Sequence, residues 1–400
     1  MTTLAERTLL IKPSVTLAIA AKAGKLRSEG IDVINFSAGE PDFDTPDRIK
    51  AAAIEALKKG MTKYTDVRGV EPLRQAIARK YLSEYGLSYQ LSEILVSCGA
   101  KHSLYNLFQA VVNPGDEVLV PAPYWVSYAD MALLAGGVPK TIQTTEASGF
   151  RITAQQLAEA LSSRTRVFVL NSPSNPTGAS YEENELMAMA QVLEKHDCLI
   201  VTDDIYERIV YDRFTIQNLV ALAPSLRDRV IIVNGVSKTY AMTGWRIGYA
   251  LGPADIIGAA AKIQSQSTSN PTSIAQAAAL EALSGPQEDV AMMVGEFQKR
   301  RDVIVDRLDA IPGVECLKPQ GAFYVFPNIA ALIGKTINGK KLASPCDIAD
   351  YLLEEATVAA VPGEDFGSNA HIRLSYATSL ENVEEGCRRM RQAFGKIQSS

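Results

Sequence analysis

The chain has only five cysteines in 400 residues, and no two of them stand at C-x-x-C spacing. Cys98, Cys198, Cys316, Cys346 and Cys387 are an odd set, which argues against a disulfide framework and for a reducing compartment, cytoplasm or an organelle stroma. Three histidines, His102, His196 and His371, are too few and too scattered for a metal cluster, so no metal is expected. No run approaches the ~18 apolar residues of a membrane span. The short apolar stretch at 17–21 is interrupted by lysines (Lys12, Lys22, Lys25) and preceded by Glu6, so it reads as an arm entering an amphipathic helix rather than a secretory signal. A basic excess is missing too. Forty Lys and Arg against 45 Asp and Glu leave a net charge of −5, with no chain-wide field to recruit nucleic acid.

What is present is an ordinary globular composition, 47% apolar and 21% charged, in a length of about two domains. Apolar runs at 94–97, 117–120, 167–170, 199–202, 230–233 and 247–250 are continuous rather than alternating, the pattern of strands covered on both faces. Helical stretches lie between most of them, as over 182–196. Another helix is expected after residue 45, with Thr45 as cap, Pro46 at its first position, Gly60 at its end and Ile49, Ala53 and Leu57 on its buried stripe. This is an α/β fold with a mainly parallel sheet covered by helices. After about residue 290 the pattern changes. A long helix over 287–308 is followed by short strands at 314–317, 323–326, 358–361 and 372–376. A last helix has Thr378 and Glu381 at capping-box spacing and Val383, Cys387, Met390 and Phe394 on one face. The expected division is an arm over 1–15, a large domain over 46–289, and a smaller α+β domain. The smaller one combines 16–45, which holds a strand at 33–36, with 290–400.

In open α/β sheets ligands sit beyond the carboxyl ends of the strands. After 94–97, Cys98-Gly99-Ala100-Lys101 opens a helix bearing Leu104, Leu107, Phe108 and Val111. Small residues at a helix N-terminus suit an anion, although an ordinary tight turn has the same composition. After 167–170, residues 171–178 form a rigid turn in which a cis bond at Asn175-Pro176 would aim the Asn175 amide; Pro123 is a second cis candidate. Asp203 and Tyr206 follow 199–202, and a carboxylate there needs a partner if buried. Lys238 follows 230–233, ahead of Gly244-Trp245-Arg246. Alone, it could be a salt-bridge lysine, an anion ligand or a Schiff-base lysine.

Together these residues describe one ligand. A helix N-terminus and Arg246 suit a phosphate, Asp203 a cationic ring nitrogen, Tyr206 a phenolate oxygen, Lys238 an aldehyde, and Tyr124-Trp125 an aromatic face. Those are the parts of pyridoxal 5′-phosphate. Further motifs extend along the chain: Ile11-Lys12-Pro13-Ser14, the stretch 37–46 from Ser37-Ala38-Gly39-Glu40 to Thr45-Pro46, Tyr64, Asn175-Pro176-Thr177-Gly178, 203–206, 237–248 and His371-Ile372-Arg373-Leu374-Ser375-Tyr376. In this ordered set the chain resembles the class I, fold-type I aminotransferases, in particular the prokaryotic-type aspartate aminotransferases, some of which use prephenate.

The resemblance implies a role for each matching residue. Lys238 would hold pyridoxal 5′-phosphate as a Schiff base and then serve as general base and acid. Asp203 would pair with the ring nitrogen, Tyr206 and Asn175 would contact the ring oxygen, and Trp125 would stack on the ring. Gly99, Ala100, Ser237 and Arg246 would bind the phosphate, joined by Tyr64 from the other subunit of a homodimer. Arg373 would grip the substrate α-carboxylate, helped by Asn175 and Gly39. Alternation along 371–376 supports a cleft role for Arg373, because His371, Arg373 and Ser375 share one polar face. Two departures stand out. Asp204 occupies a position that is Glu in many relatives, and 264–271 contains no arginine for a substrate's second carboxylate. Lys101, Thr16 and Lys12 are the candidates for that task.

The expected activity moves an amino group between aspartate or glutamate and 2-oxo acids: oxaloacetate, 2-oxoglutarate and, as in some relatives, prephenate. An aromatic or alanine aminotransferase or a β-lyase would use the same core. A pyridoxal-sensing regulator would need ~60–80 further basic residues for a DNA reader, and they are absent. No nucleic-acid or membrane partner is expected.

Overall fold

The structure is a computed structural model that describes residues 4–11, 13, 15–337 and 339–399, with the side chains of 15–17 and 398–399 left outside the description. Its strands in chain order are β1 (Ile34–Asn35), β2 (Ile94–Ser97), β3 (Glu117–Ala122), β4 (Val138–Gln143), β5 (Thr165–Asn171), β6 (Leu199–Asp203), β7 (Val230–Gly235) and β8 (Gly248–Leu251). Then come β9 (Tyr324–Val325), β10 (Thr336–Ile337), β11 (Lys340–Lys341), β12 (Val358–Ala359), β13 (Val361–Pro362) and β14 (Ile372–Ser375).

The central sheet has seven strands in the order β2-β8-β7-β6-β5-β3-β4. All neighbours pair in parallel except β8, which runs antiparallel to both β7 and β2. Period-two alternation sends successive side chains to opposite faces, and both faces are apolar. Ile94, Val96, Phe168, Leu170, Ile200 and Ile232 enter one core, packed by the helices Glu71–Tyr85, Glu183–Leu193 and Ser273–Ser284. Leu95, Val167, Val169, Val201, Ile231 and Val233 enter the other, covered by Ala100–Val111 and Ala254–Ser267. The continuous apolar runs thus have their physical reason.

A third core gathers Ile34 and Phe36 with the helix Glu288–Asp309, Phe323, Ile372, Leu374 and the inner face of the last helix, Leu380–Ser399. There β13-β14-β9 form an antiparallel sheet and β1 pairs in parallel with β12. Val383, Cys387, Met390 and Phe394 are buried as expected. All five cysteines are free.

Several local expectations give way to longer-range contacts. Residues 314–317 form no strand, only an isolated bridge from Glu315 to Asn328. The run 358–361 divides into β12 and β13. The helix Asp47–Lys58 has Pro46 as its cap and no side-chain cap. Thr45 is used elsewhere: its Oγ1 donates to Ala241 O (2.6 Å) and accepts from Trp245 Nε1 (2.9 Å). On that helix Ile49, Ala53 and Ala56 are buried while Leu57 is exposed. At the last helix Ser379, not Thr378, caps the Asn382 N–H (3.2 Å).

Candidate active site

The carboxyl edge of the sheet opens into a cavity of about 460 Å³, lined among others by Gly39, Ala100, Lys101, Trp125, Asn175, Asp203, Tyr206, Ser237, Lys238, Arg246 and Arg373. Sequence-distant candidates therefore share one space. Most stand at or just beyond an element end, while Arg373 lies within a strand.

After β2 the chain turns at Gly99 so that a helix can start at Ala100. Gly99 has φ 93° and ψ 159°, a conformation essentially reserved for glycine, and a Cβ there would strike the Arg246 guanidinium. Arg246 itself takes φ 57° just ahead of β8. Its Nη2 donates to Cys98 O (3.3 Å) and its Nη1 to Thr243 O (2.8 Å). A Cβ on Gly248 would strike the Ala100 nitrogen, so the two segments meet backbone to backbone. Helix N–H groups without helical acceptors beside a guanidinium make an anion cradle.

β6 ends on Asp203, which is buried. Its Oδ2 accepts from Tyr128 OH (2.6 Å) and its Oδ1 from the Ile205 N–H (3.3 Å). Burial pushes the carboxyl up to about 6, against the pull of those two donors. Both hydrogen-bond donors are neutral, and the Lys238 charge acts on the carboxyl only as the weakest of these pulls, so a cation in direct contact is the electrostatic complement. Beyond β7, Lys238 Nζ donates to Gly39 O. Burial pushes this ammonium down to about 8; Glu40 opposes the shift, while Arg373 and Arg246 add to it.

Arg373 lies on β14 and is buried. Its Nη1 donates to Asn175 Oδ1 (3.0 Å), its Nη2 to Ser37 O (2.9 Å), and its Nε has no hydrogen-bond partner among the described residues. The guanidinium carbon lies 4.5 Å from the Tyr324 ring centre and 5.1 Å from that of Phe366. Burial lowers its pKa while still leaving it a cation. The polar face of β14 is not solvated: His371, Arg373 and Ser375 are all buried, and of these three Arg373 lines the cavity. His371 stacks on Phe326 (4.8 Å, 5°), with Nε2 3.2 Å from Glu146 Oε1.

Lys101 lines the cavity but is exposed as a whole residue, with Nζ 4.8 Å from the Trp125 ring centre. Desolvation there, with the Arg246 charge, lowers its pKa. Tyr64 is 91% exposed and takes no part in this cavity. Lys12 lies outside the described residues, as does the Thr16 side chain. Asn175-Pro176 and Ala122-Pro123 are cis, as expected, and so is Ser172-Pro173.

Three contributors escaped sequence reasoning: Tyr128, which donates to Asp203, Ser37, whose carbonyl holds Arg373, and Tyr324, between Arg373 and Tyr206. The available signal was general: a buried tyrosine needs a partner for its hydroxyl.

Residues 31–390 match the family described as aminotransferase class I and II. The aspartate/prephenate aminotransferase of Cereibacter sphaeroides is 51% identical over 396 residues, covering 98% of this chain and 99% of that one. A probable aspartate/prephenate aminotransferase of Rickettsia bellii is 50% identical over 389 residues, covering 97% and 98%. The crystal structure of the aspartate aminotransferase from Rhizobium meliloti superposes with a TM-score of 0.96 at 46% identity, covering 99% of this chain and all of that one.

Proposed function

The chain belongs to the class I and II aminotransferases, and from that membership we propose that its cavity takes pyridoxal 5′-phosphate and moves an amino group between aspartate or glutamate and 2-oxo acids, namely oxaloacetate, 2-oxoglutarate and prephenate. Amino-group transfer is the reaction of the family. The residues fit the cofactor. The cradle at Gly99 and Arg246 has no room for a Cβ and suits a phosphate, and buried Asp203 has neutral donors and lacks only a cationic partner such as a pyridinium nitrogen. Of the five donors on a guanidinium, Arg373 spends two on Asn175 and Ser37, which leaves its free Nε and further protons for a carboxylate.

The chemistry that the group supplies when bound is an aldehyde that exchanges the amino group and a ring that withdraws electrons. Lys238 would hold it through Nζ. Once released, that Nζ would carry the proton, and an amine held near 8 has about a tenth of its population neutral at pH 7. Asp203 would pair with the ring nitrogen, Tyr206 and Asn175 would contact the ring oxygen, and Trp125 would stack on the ring. Arg373 orients the α-carboxylate bidentately, and Lys101 offers a point charge to a second carboxylate. Gly99, Ala100, Ser237 and Arg246 would hold the phosphate, joined by the exposed Tyr64 of a second copy in a homodimer. The cores support assigning 16–45 with 290–400 to a small domain, 46–289 to a large one and 1–15 to an arm. Free cysteines fit a cytoplasmic protein, and among the described residues no helix is long and apolar enough to cross a membrane.

The observation that carries this reading is the convergence of Lys238, Asp203 and Arg373 on one cavity. With added cofactor the protein should absorb in the visible, and aspartate should change the band. Lys238→Ala should abolish turnover of aspartate with 2-oxoglutarate. A wild-type kcat in that variant would refute the mechanism.

A further inference from the structure

Tyr324 sits where two functions meet. It is buried on β9. Its hydroxyl lies 2.9 Å from the Tyr206 hydroxyl, and either oxygen can be the donor. Its ring lies under the Arg373 guanidinium at 4.5 Å. The two tyrosine rings meet edge to face, with centres 5.8 Å apart at 82°. The Gly39 backbone closes over the same hydroxyl, since a Cβ there would come within 3.2 Å of it. Register locks the residue, because Tyr324 pairs with Ser375, two residues beyond Arg373.

One proton serves the Tyr206–Tyr324 contact. If Tyr206 turns its proton toward an oxyanion in the cavity, its oxygen is free to accept, and Tyr324 is the donor at hand. A hydroxyl that accepts one hydrogen bond donates a stronger one. The ring, meanwhile, gives the buried Arg373 a face to lie on, which fixes the plane of the fork offered to a carboxylate.

Resting on the cofactor reading above, we propose that Tyr324 is a positioning residue for both halves of the site. Its hydroxyl orients the Tyr206 proton toward the cofactor's ring oxygen, and its ring sets the Arg373 plane that receives the substrate α-carboxylate. No proton leaves either tyrosine; only donor and acceptor roles change.

The two halves separate by mutation. In the cofactor-loaded enzyme, Tyr324→Phe removes the hydroxyl and keeps the ring. The midpoint of the visible absorbance–pH titration, read without substrate, should rise by about half a unit or more as the ring oxygen loses a strengthened donor, while KM for aspartate stays within about twofold. Tyr324→Leu removes the ring as well, and KM for both the amino acid and the oxo acid should rise about tenfold. An unmoved midpoint in Tyr324→Phe, or equal effects of the two variants on midpoint and KM, would overturn the proposal and leave Tyr324 as core packing. Should Tyr324→Leu fail to fold, the near-isosteric Tyr324→Phe still decides it: an unmoved midpoint refutes and a raised one supports. The wild type and Lys238→Ala are run alongside. A wild type with no pH-dependent band would refute the cofactor reading itself, whereas a normal wild type with unchanged variants would refute this inference alone.

Discussion

Replacing Lys80 by methionine isolates the buried ion pair behind the cavity. Lys80 Nζ lies 2.6 Å from Glu207 Oε1 and 2.8 Å from Glu84 Oε2, with the Lys80 and Glu207 side chains 6% and 3% exposed. Tyr85 OH adds a donor to Glu207 Oε2 at 3.0 Å. Burial pulls the Lys80 pKa down, but Glu207 and Glu84 outweigh it and leave a net rise; burial raises Glu207, but Lys80 outweighs it and leaves a net fall. Each charge is thus stable only with the other. Lys80→Met strands the Glu207 carboxylate and should cost about 3–5 kcal/mol. At the usual entropy per residue this lowers Tm by roughly 4–6 °C. Lys80→Met/Glu207→Leu should recover part of it, because an apolar pair leaves no buried charge, although the Tyr85 hydroxyl then loses its acceptor. The sign of the pH effect also follows. In the single variant the folded pKa of Glu207 rises above its unfolded value, so the folded state keeps a proton that the unfolded state releases. The deficit is then full near neutral pH and shrinks as pH falls toward about 4. Urea and thermal unfolding followed by circular dichroism at two pH values measure all of this. A loss under about 1 kcal/mol, the size of an exposed salt bridge, or a double variant as unstable as the single one, would refute the reasoning.

Gly99→Ala should strain the phosphate turn and weaken pyridoxal phosphate binding by about tenfold or more, read by absorbance titration; wild-type affinity would contradict the cradle. In the cofactor-free protein the folded pKa of Asp203 is about 6 against an ordinary 3.8, so stability falls as pH rises between those values. Asp203→Asn should therefore stabilise the cofactor-free protein at pH 7 by up to about 3 kcal/mol and flatten that slope in urea unfolding, while weakening cofactor binding; a less stable variant would show that the charge is already compensated. Lys101→Ala should raise KM for dicarboxylic donors and leave monocarboxylic ones largely unaffected. Equal losses for both in steady-state assays would assign Lys101 to the cofactor or the fold.

Much of the architecture was legible because its signals are local. Six runs of the central sheet stand out as strands doubly covered by helices, and Asp203 and Lys238 were readable as strand-end residues without knowledge of the strand order. β4 was missed because it is an edge strand, with Val138, Thr141 and Gln143 exposed and only Ile142 buried, so its sequence carries little apolar contrast. Residues 314–317 show the reverse: an apolar stretch that looked like a strand but found only one bridging partner.

The amino-acid order by itself thus determined which short segments become strands and helices and which polar residues stand at their ends, since both depend on neighbours within a few positions. Tertiary structure alone decided the pairings. Tyr128 reaches Asp203 across 75 residues and Tyr206 meets Tyr324 across 118, while Thr45 leaves its local cap for Ala241 and Trp245. The antiparallel course of β8 between β7 and β2 is likewise a matter of tertiary pairing. A hydrogen-bond partner is chosen by which groups remain unsatisfied once the sheet has stacked and the cores have closed, and no local pattern encodes that.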